Sequence, residues 1–476
     1  MILLPLEISL AAALAQAGAA NEVTIYNQGF ALVKEVRQMS LAKGRQTVAV
    51  EDVAQMIETN SVGIKSLTNP NDFEVLEQNY QYDLISPMAI LNKAVGHKVR
   101  FNRVLPNGVK ETVSGTLVSS PTTVVGDQQG GGQMTYNGMV IRTDDGRILL
   151  NPSGEVEVAS IPDGLISKPT LLWDIIADQG GGHTVELSYL TRGMMWNADY
   201  VLTMDGLGSA DLKGWVTLTN NSGATFKEAR LKLLAGDVQR AQDVRRAGRA
   251  GAMAETAMAR EQLGFQQEAL FEYHLYTLQR PATIRNREIK QISLLEAKGV
   301  KVTKKLIVDS MLGFGIYYPS EGEVGTGVIK PQVRVEFKNE TQNRLGMPLP
   351  MGTVKVYQRD RSGSVQMLGE DRIQHTPKDE KLSLVVGRSF DVVAERKRLS
   401  FRVLGQRMFE ETFEVELRNR KDSAETVHVL ERHYGDWRVT DTSHKWEKLD
   451  STTMQYVLDL KAGEVAKIKY TIETRW

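Results

Sequence analysis

The chain has 476 residues, and its 58 lysines and arginines balance 58 aspartates and glutamates, so the formal net charge is zero. This balance removes the general electrostatic argument for nucleic acid or an anionic membrane surface, because both attract basic proteins. The sequence has no cysteine, which excludes disulfide bonds, thiolate metal ligands and cysteine nucleophiles.

The first 20 residues have features of an export signal. Residues 8–15 form an apolar stretch, and Ala17-Gly18-Ala19 after it has the small-x-small form of a signal-peptidase site. Glu7 interrupts the apolar stretch and no basic residue precedes it, so a buried N-terminal helix or a misassigned start codon are the alternatives. We predict that residues 1–20 are a signal peptide and that the protein is exported to the periplasm, the cell surface or the medium. No later stretch approaches the ~20 apolar residues of a membrane span, so we predict no span in the mature chain.

Residues 21–96 predict an N-terminal β unit that contains a short helix. Apolar and polar residues alternate in several short runs, which are separated by glycine-containing turns. Ser86 and Pro87 then match the cap and the first turn of a helix. The apolar residues that follow recur at helical spacing as far as Gly96.

Residues 97–165 predict a small barrel-like unit. Five short runs rich in β-branched residues occur in this length, and turn residues separate them. Five strands of this size would close a small barrel. Such a barrel binds a ligand in some proteins and is a spacer in others, and the fold alone does not decide between them.

Residues 166–395 predict a central β-sandwich, whose clearest pattern lies at 187–237. Val216 and Leu218 alternate with polar neighbours there, which places one face of a strand on a core and the other in water. This pattern predicts consecutive antiparallel strands. An Arg- and Ala-rich stretch at 238–271 interrupts the sandwich, and its poor apolar spacing predicts an exposed excursion.

Residues 396–476 predict a C-terminal sandwich of the immunoglobulin or fibronectin type, because apolar and polar residues alternate in several successive runs. No repeat with a fixed period of about 20–50 residues is visible. The predicted fold is therefore mainly β and multi-domain. It consists of β-sandwiches, a small barrel-like N-terminal unit and one or two short helices.

Six short motifs between residues 165 and 400 support a family resemblance. They are Met-Trp-Asn-Ala-Asp-Tyr at 195–200, Gly-Trp-Val-Thr-Leu-Thr-Asn-Asn-Ser-Gly at 214–223, Leu-Lys-Leu-Leu-Ala-Gly-Asp at 231–237, Gln-Arg-Pro-Ala-Thr-Ile at 279–284, Leu-Pro-Met-Gly-Thr-Val at 349–354 and Leu-Val-Val-Gly at 384–387. In order and spacing the chain resembles bacterial exported proteins of unknown function related to the mucoidy-inhibitor family. The resemblance implies an exported β-sandwich protein and an influence on exopolysaccharide production. It implies no catalytic residue, and the coiled-coil segment of the better-known members is missing from this sequence.

The residues that would carry chemistry do not form a known pattern. The seven histidines are scattered without a short-spacing ligand pair, and the sequence has no Gly-x-Ser-x-Gly nucleophile motif. The glycines between 322 and 330 lack the Gly-Lys-Ser/Thr ending of a phosphate-binding loop. We therefore assign no catalytic residue, no metal ligand and no cofactor, and we favour a protein without enzymatic activity.

Two groups of residues are candidates for binding. Trp196, Tyr200 and Trp215 could form a platform on which sugars stack, although packing in a core is the favoured interpretation for aromatic residues of one strand parity. Arg240, Arg245, Arg246 and Arg249 could dock an acidic partner. A solvated linker is the favoured alternative there, because nearby acidic residues dilute the charge.

Three functions remain open at this stage. The first is a non-enzymatic scaffold or adhesion module of the cell envelope, and the second is a protein that binds or processes envelope polysaccharide. The third is self-assembly into a homo-oligomer, in which residues 22–36 or 466–476 pair with the open sheet edge of a neighbouring copy. An envelope protein or a polysaccharide is thus the expected partner, and nucleic acid is not.

Overall fold

A computed structural model describes residues 21–104, 107–126, 132–136, 138–240, 265–320, 322 and 324–476. In these residues the chain is mainly β, with 34 strands and one α-helix. The alternating pattern of the sequence therefore predicted the fold class correctly. Among the described residues, no helix combines the length and the apolar character that crossing a membrane requires.

The strands are as follows in chain order. Up to residue 165 they are β1 (Glu22–Tyr26), β2 (Phe30–Leu41), β3 (Gly44–Glu51), β4 (Gly63–Ser66), β5 (Phe73–Gln81), β6 (Lys98–Val104), β7 (Lys110–Leu117), β8 (Thr122–Gly126), β9 (Gly132–Tyr136), β10 (Val140–Thr143), β11 (Ile148–Leu150) and β12 (Glu155–Val158). Up to residue 309 they are β13 (Thr170–Ala177), β14 (Gly181–Arg192), β15 (Met194–Met204), β16 (Ser209–Asn220), β17 (Phe226–Ala235), β18 (Phe265–Leu270), β19 (Tyr273–Leu278), β20 (Ala282–Ile284), β21 (Glu288–Lys301) and β22 (Thr303–Asp309). The remaining strands are β23 (Gly327–Ile329), β24 (Gln332–Lys338), β25 (Gly352–Arg359), β26 (Val365–Ile373), β27 (Lys381–Arg388), β28 (Val392–Gly405), β29 (Met408–Asn419), β30 (Glu425–Arg432), β31 (Asp436–Thr442), β32 (Trp446–Lys448), β33 (Thr453–Leu460) and β34 (Val465–Arg475).

The helix α1 (Pro87–Lys93) lies where the sequence predicted it. The Ser86 hydroxyl accepts a hydrogen bond from the Ala89 backbone N–H at 3.1 Å, which satisfies one of the unpaired donors of the first turn. Pro87 fills the first helical position, where its missing N–H costs nothing.

Strands from the start of the chain pair with strands that follow residue 165. The order β18-β19-β17-β1-β2-β14-β4 forms one sheet, to which β20 is added beside β17, and β3-β13-β5 forms another. One hydrophobic core then runs from Val23 to Val386 and includes Trp173, Trp196 and Tyr200. Residues of the predicted 21–96 unit and of the predicted 166–395 unit thus contribute to the same sheets and to the same core.

The expected small barrel does not close within the described residues of 97–165. Its five strands form an open sheet in the order β11-β10-β7-β6-β12, so each end strand has a single neighbour. The strand β11 has only three residues, and its Ile148 and Leu150 are exposed. A closed barrel would need both end strands to pair with each other, and β11 is too short to support that pairing.

Two sheets face each other in the C-terminal part of the chain. They are β27-β24-β22-β30-β33-β32 and β23-β28-β29-β34-β31. Val308 and Val429 from the first sheet pack with Val415 and Ile468 from the second in one buried cluster. A sandwich is therefore present in this part of the chain, and four of its strands, β22, β23, β24 and β27, precede the predicted boundary at residue 396.

A short motif closes a turn at three places in these sheets. The sequence Val-x-Leu/Phe-x-Asn ends at Asn220, at Asn339 and at Asn419, and all three asparagines are buried. Each side-chain amide lies within hydrogen-bond distance of three backbone carbonyls. The acceptors are those of Ala224, Ile284 and Arg285 for Asn220, those of Met347, Thr376 and Pro377 for Asn339, and those of Ser423, Leu460 and Lys461 for Asn419. The asparagine thus satisfies carbonyls that the turn would otherwise bury without a partner.

The two segments considered for self-assembly lie inside their sheets. The strand β1 is between β17 and β2, β2 is between β1 and β14, and β34 is between β29 and β31. Over most of their length both edges of these strands pair within the chain. The registers leave one edge of Glu35 and Val36 and one edge of residues 466–468 without a described strand partner, so pairing of these segments with a second copy stays a prediction.

Candidate interaction site

Trp196 and Tyr200, two of the predicted aromatic residues, are buried. Both point into the core from β15, and their ring polar groups donate to backbone carbonyls. Trp196 Nε1 lies 3.3 Å from the Leu234 oxygen, and the Tyr200 hydroxyl lies 2.8 Å from the Pro350 oxygen. A buried aromatic residue with a satisfied polar group is a core residue, so these two rings contribute to no sugar platform.

Trp215 lies on the opposite face of the same sheet. It is 37% exposed, and it is paired across the sheet with Asp199 on β15 and with Ser293 on β21. Beside it the Thr217 hydroxyl donates to Asp199 Oδ2 at 2.6 Å, and Gln291 Nε2 donates to the Thr217 hydroxyl at 3.2 Å. Of the three aromatic candidates, only Trp215 presents a ring to solvent with polar groups around it.

Arg240 is engaged within the chain. Its Nη2 lies 2.6 Å from Glu58 Oε2, and its guanidinium carbon lies 4.4 Å from the centre of the Phe30 ring. The hydrogen bond from Arg240 lowers the pKa of Glu58, and a weaker contribution comes from Arg192. Arg240 therefore links the residues after β17 to the loop that carries Glu58. The other predicted docking residues, Arg245, Arg246 and Arg249, lie outside the described residues.

The most distinctive exposed surface is on the loop between β22 and β23, which we call the apolar loop and define as residues 310–320, 322 and 324–326. Leu312, Phe314 and Ile316 alternate with glycines on this loop and are 41%, 57% and 75% exposed. Val328 and Phe390 nearby in the fold are also strongly exposed. Several exposed apolar side chains on one segment are typical of an interaction surface.

Buried arginines fix the backbone of the apolar loop. Arg396 Nη1 donates to the carbonyls of Val324 and Gly325 at 3.3 and 3.4 Å. Arg398 Nη1 donates to the Ser320 carbonyl at 2.6 Å. Gly325 has a φ of +69°, and a Cβ added there would lie 2.8 Å from the sulfur of Met311, so only glycine fits this position.

The guanidinium of Arg396 is itself held by a charged network inside the sandwich. Arg396 Nε donates to Glu431 Oε2 at 2.8 Å, and the Tyr470 hydroxyl donates to the same oxygen at 2.6 Å. The side chains of Arg396 and Glu431 are only 3% and 0% exposed. Arg396 also lies 3.8 Å above the Phe413 ring. Glu431 Oε2 thus accepts from both Arg396 and Tyr470, whereas Glu431 Oε1 is buried without a hydrogen-bond partner among the described residues.

His433 lies at the edge of this network and stays uncharged. Its Nε2 is 3.3 Å from the Tyr470 hydroxyl, and the residue is buried. Burial, together with the positive charge of Arg396, lowers the pKa of His433 to about 3. Burial raises the pKa of Tyr470 well above its usual range. Both side chains therefore keep one protonation state at neutral pH.

Aromatic contacts fix the far end of the apolar loop. The ring centre of Tyr318 lies 5.4 Å from that of Phe409 and 4.9 Å from that of Trp476. Phe409 in turn stacks on Phe401 at 5.9 Å. Such pairs stabilise by about 0.5–1.5 kcal/mol each beyond their buried area, so this end of the loop is attached to the hairpin formed by β28 and β29.

An open pocket of about 330 Å³ lies at the start of the apolar loop. Its lining residues come from the end of β22, from β23 and from the end of β27, and they are Asp309, Ser310, Leu312, Val328, Ile329, Lys330 and Arg388. Arg432 binds the Asp309 carboxylate, with Nη2 2.9 Å from Oδ2. We call this the basic pocket, because Lys330 and Arg388 are its remaining charged residues. No cluster of three or more potential metal ligands occurs among the described residues.

The sequence contained a signal for the apolar loop that the period-2 pattern concealed. Leu312, Phe314 and Ile316 alternate with their neighbours as strand residues do, but glycines at 313 and 315 cannot pair or pack as strand residues usually do. Apolar residues that alternate with glycine thus indicate an apolar loop. Comparison of the chain with protein-family models and with curated proteins gives no match. The resemblance to proteins related to the mucoidy-inhibitor family therefore stays a prediction.

Proposed function

We propose that the chain is a non-enzymatic, exported protein of the cell envelope that acts as a scaffold or assembly module and docks a partner protein through its apolar loop. The observation that carries this proposal is the exposure of Leu312, Phe314 and Ile316 on a loop whose backbone is bound by buried arginines. The compartment in the proposal rests on the predicted signal peptide at residues 1–20.

The energetics of the loop support docking. Ordering a residue costs about 1–2 kcal/mol of conformational entropy, and apolar area gains about 25 cal/mol per Å² only when it leaves water. Buried arginines bind the carbonyls of Ser320, Val324 and Gly325 in this loop, while its apolar side chains stay in contact with solvent. A partner that covers these side chains would gain their burial without the further cost of ordering the loop.

The charged network supports a structural role for the buried ionisable groups. Arg396 and Glu431 neutralise each other inside the sandwich, and Arg396 uses its remaining N–H groups on carbonyls of the apolar loop. Burying such a pair contributes little net stability. Its position beneath the loop is consistent with shaping a docking surface.

The test places a photo-crosslinking residue at Ile316 of the full-length protein in living cells. We expect one discrete crosslinked product in the envelope fraction, and we expect Phe314→Ser in the same protein to reduce it about tenfold, as for a central interface anchor. Leu207 is strongly exposed on a turn outside the loop, so Leu207→Ser is the matched control. Recovery of the protein only from the cytosol, or an unchanged product with Phe314→Ser, would overturn the proposal.

A second candidate is binding of envelope polysaccharide, and the position of Trp215 favours it. An exposed indole with Asp199, Thr217 and Gln291 beside it offers a stacking face with hydrogen-bonding groups at its margin. Affinity electrophoresis in gels that contain envelope polysaccharide would measure this. We expect Trp215→Ala to abolish the retardation, whereas Phe271→Ala, at another exposed aromatic residue, leaves it unchanged. Absence of retardation of the unmodified protein would remove this candidate.

A further inference from the structure

We propose that the basic pocket binds a carboxylate of an acidic, extended polypeptide segment of the partner, and that this segment adds as a strand to the open edge of β23. The inference rests on the proposed docking function and names the chemistry of the segment that docks. Four observations on the described part of the chain carry it: two cations without ion pairs, a neutralised acid, a buried hydroxyl without a partner and an open strand edge.

The first two observations concern the charge of the pocket. Among the described residues neither Lys330 nor Arg388 forms an ion pair, and Lys330 Nζ lies 5.3 Å from the centre of the Phe390 ring. The pocket's acid, Asp309, is neutralised by Arg432, whose Nε and Nη2 lie 3.2 and 2.9 Å from Oδ2. The net charge of the residues that line the pocket is therefore positive and favours binding of an anion.

The third observation is the hydroxyl of Ser310, which also lines the pocket. The residue is 7% exposed, and its Oγ is buried without a hydrogen-bond partner in the part of the chain that the structure describes. A buried hydroxyl without a partner costs about 1–3 kcal/mol, which a ligand oxygen in the pocket would remove. Together with the two cations, this hydroxyl gives the pocket three donors for a carboxylate.

The fourth observation is the edge of β23, which ends the sheet β23-β28-β29-β34-β31. It pairs only with β28, where Val328 faces Glu395, and no described strand pairs with its other edge. Backbone groups of an open edge bind an extended chain through main-chain hydrogen bonds. Val328 projects from this strand and is strongly exposed, so it can pack against side chains of an added strand.

These observations favour a polypeptide over a small free anion. The pocket is open to solvent, and Leu312, Val328 and Ile329 form an apolar part of its lining. A free inorganic ion would neither cover this apolar area nor form hydrogen bonds along the strand edge. An extended segment with apolar residues and a carboxylate would contact all three features.

The experiment measures fluorescence anisotropy of labelled octapeptides with the full-length protein. The first probe alternates valine with threonine and carries two glutamates, the second has glutamine in their place, and the third is the acidic probe with alternate backbone nitrogens methylated. We expect the acidic probe to bind, and to bind less tightly as salt screens the charges. The glutamine probe and the methylated probe should each bind about tenfold more weakly.

The variants locate the binding. Lys330→Gln combined with Arg388→Gln should weaken the acidic probe about tenfold or more, and Ser310→Ala about threefold, as expected for lost charge-assisted and neutral hydrogen bonds. Arg361→Gln, an exposed arginine on the turn between β25 and β26, is the control and should change nothing. The affinity of the double variant for the acidic probe decides whether the basic pocket is the binding site.

Several results would overturn the inference. Equal affinity of the double variant and the unmodified protein for the acidic probe would exclude the basic pocket. Equal affinity for the methylated probe would exclude strand addition. Binding of anionic lipid vesicles that needs Lys330 and Arg388, without peptide binding, would assign the pocket to a headgroup. An intact crosslink at Ile316 alongside any of these results would leave the docking function in place. Absence of that crosslink, or a crosslink that Phe314→Ser leaves unchanged, would overturn the docking function itself.

Discussion

Trp196 and Tyr200 in the large core and Arg396 and Glu431 in the core of the C-terminal sandwich satisfy their buried polar groups in different ways. In the large core, Trp196 and Tyr200 donate to the carbonyls of Leu234 and Pro350. These acceptors are neutral and belong to the backbone. A buried aromatic residue of this kind adds a large apolar area and needs only one hydrogen bond.

The C-terminal sandwich instead encloses an ion pair. Arg396 and Glu431 meet at 2.8 Å with almost no exposure, and Tyr470 completes the contact. An apolar pair of the same volume would often be equally stable there. We infer that this ion pair is buried because it positions another part of the fold. Arg396 reaches the carbonyls of Val324 and Gly325, so the ion pair connects the sandwich core to the apolar loop.

The largest expected effect comes from breaking the ion pair on one side. Arg396→Met should lower the free energy of unfolding by about 3–5 kcal/mol, because it leaves the Glu431 carboxylate buried without its counter-charge. Urea denaturation followed by tryptophan fluorescence measures this. Tyr200→Phe in the large core removes one neutral hydrogen bond and should cost about 1 kcal/mol.

The double variant Arg396→Met with Glu431→Leu separates the effect of the ion pair on stability from its effect on the apolar loop. It should regain most of the lost stability, since no charge remains buried, yet it should still weaken the crosslink at Ile316 because the loop has lost its carbonyl contacts. A double variant that docks normally would show that the ion pair does not position the loop.

A smaller loss of stability is expected at the buried turn asparagines, which the two regions share. Asn220→Ala in the large core and Asn419→Ala in the sandwich should each cost about 2–3 kcal/mol, because each leaves buried carbonyls without a donor. Asn107→Ala, on an exposed turn, is the control. Thermal unfolding compares the three variants. A large difference between Asn220→Ala and Asn419→Ala would contradict the equivalence of the two turns.

Local pattern predicted much of the fold. The alternation of Val216 and Leu218 predicted strands at 187–237, and β14 to β17 lie there, because one face of each strand is buried and the other is not. Ser86 and Pro87 predicted the helix, because cap chemistry is local. The parallel pairing of β1 with β17 could not be predicted, since register between strands distant in sequence is set by packing.

The candidate site was harder to predict for two physical reasons. Arg396 lies on the same inward face of β28 as Val392 and Ala394. Because arginine is charged, the sequence alone did not identify it as buried, and its partner Glu431 is on a different strand. The repeated Val-x-Leu/Phe-x-Asn motif was visible in the sequence, yet its unequal spacing hid it from a search for fixed periods. Both features involve contacts between strands that are far apart along the chain.

The pH dependence of stability tests the burial of His433 in the C-terminal sandwich. Because His433 has a folded-state pKa of about 3 and an unfolded value near 6.5, the unfolded state binds more protons between these values. Stability therefore falls as pH drops through this window, by roughly 2 kcal/mol at pH 5 from this residue. His433→Gln should remove that part of the slope, as urea denaturation at a series of pH values would measure. His97→Gln, at an exposed histidine, is the control, and an unchanged slope in His433→Gln would contradict the assignment.

The smallest expected effect concerns Arg240, for which the sequence left docking open as a candidate role behind the favoured solvated linker. Arg240→Gln should cost about 1 kcal/mol or less, because solvent reaches the pair that it forms with Glu58 and Arg192 still contacts the same carboxylate at 3.1 Å. We expect the crosslink at Ile316 to be unchanged in this variant, since Arg240 lies against Phe30 in the other region. Arg192→Gln is the matched control, and chemical denaturation measures both. Loss of the crosslink in Arg240→Gln at unaltered stability would restore the docking role that the sequence indicated and would place the partner across both regions.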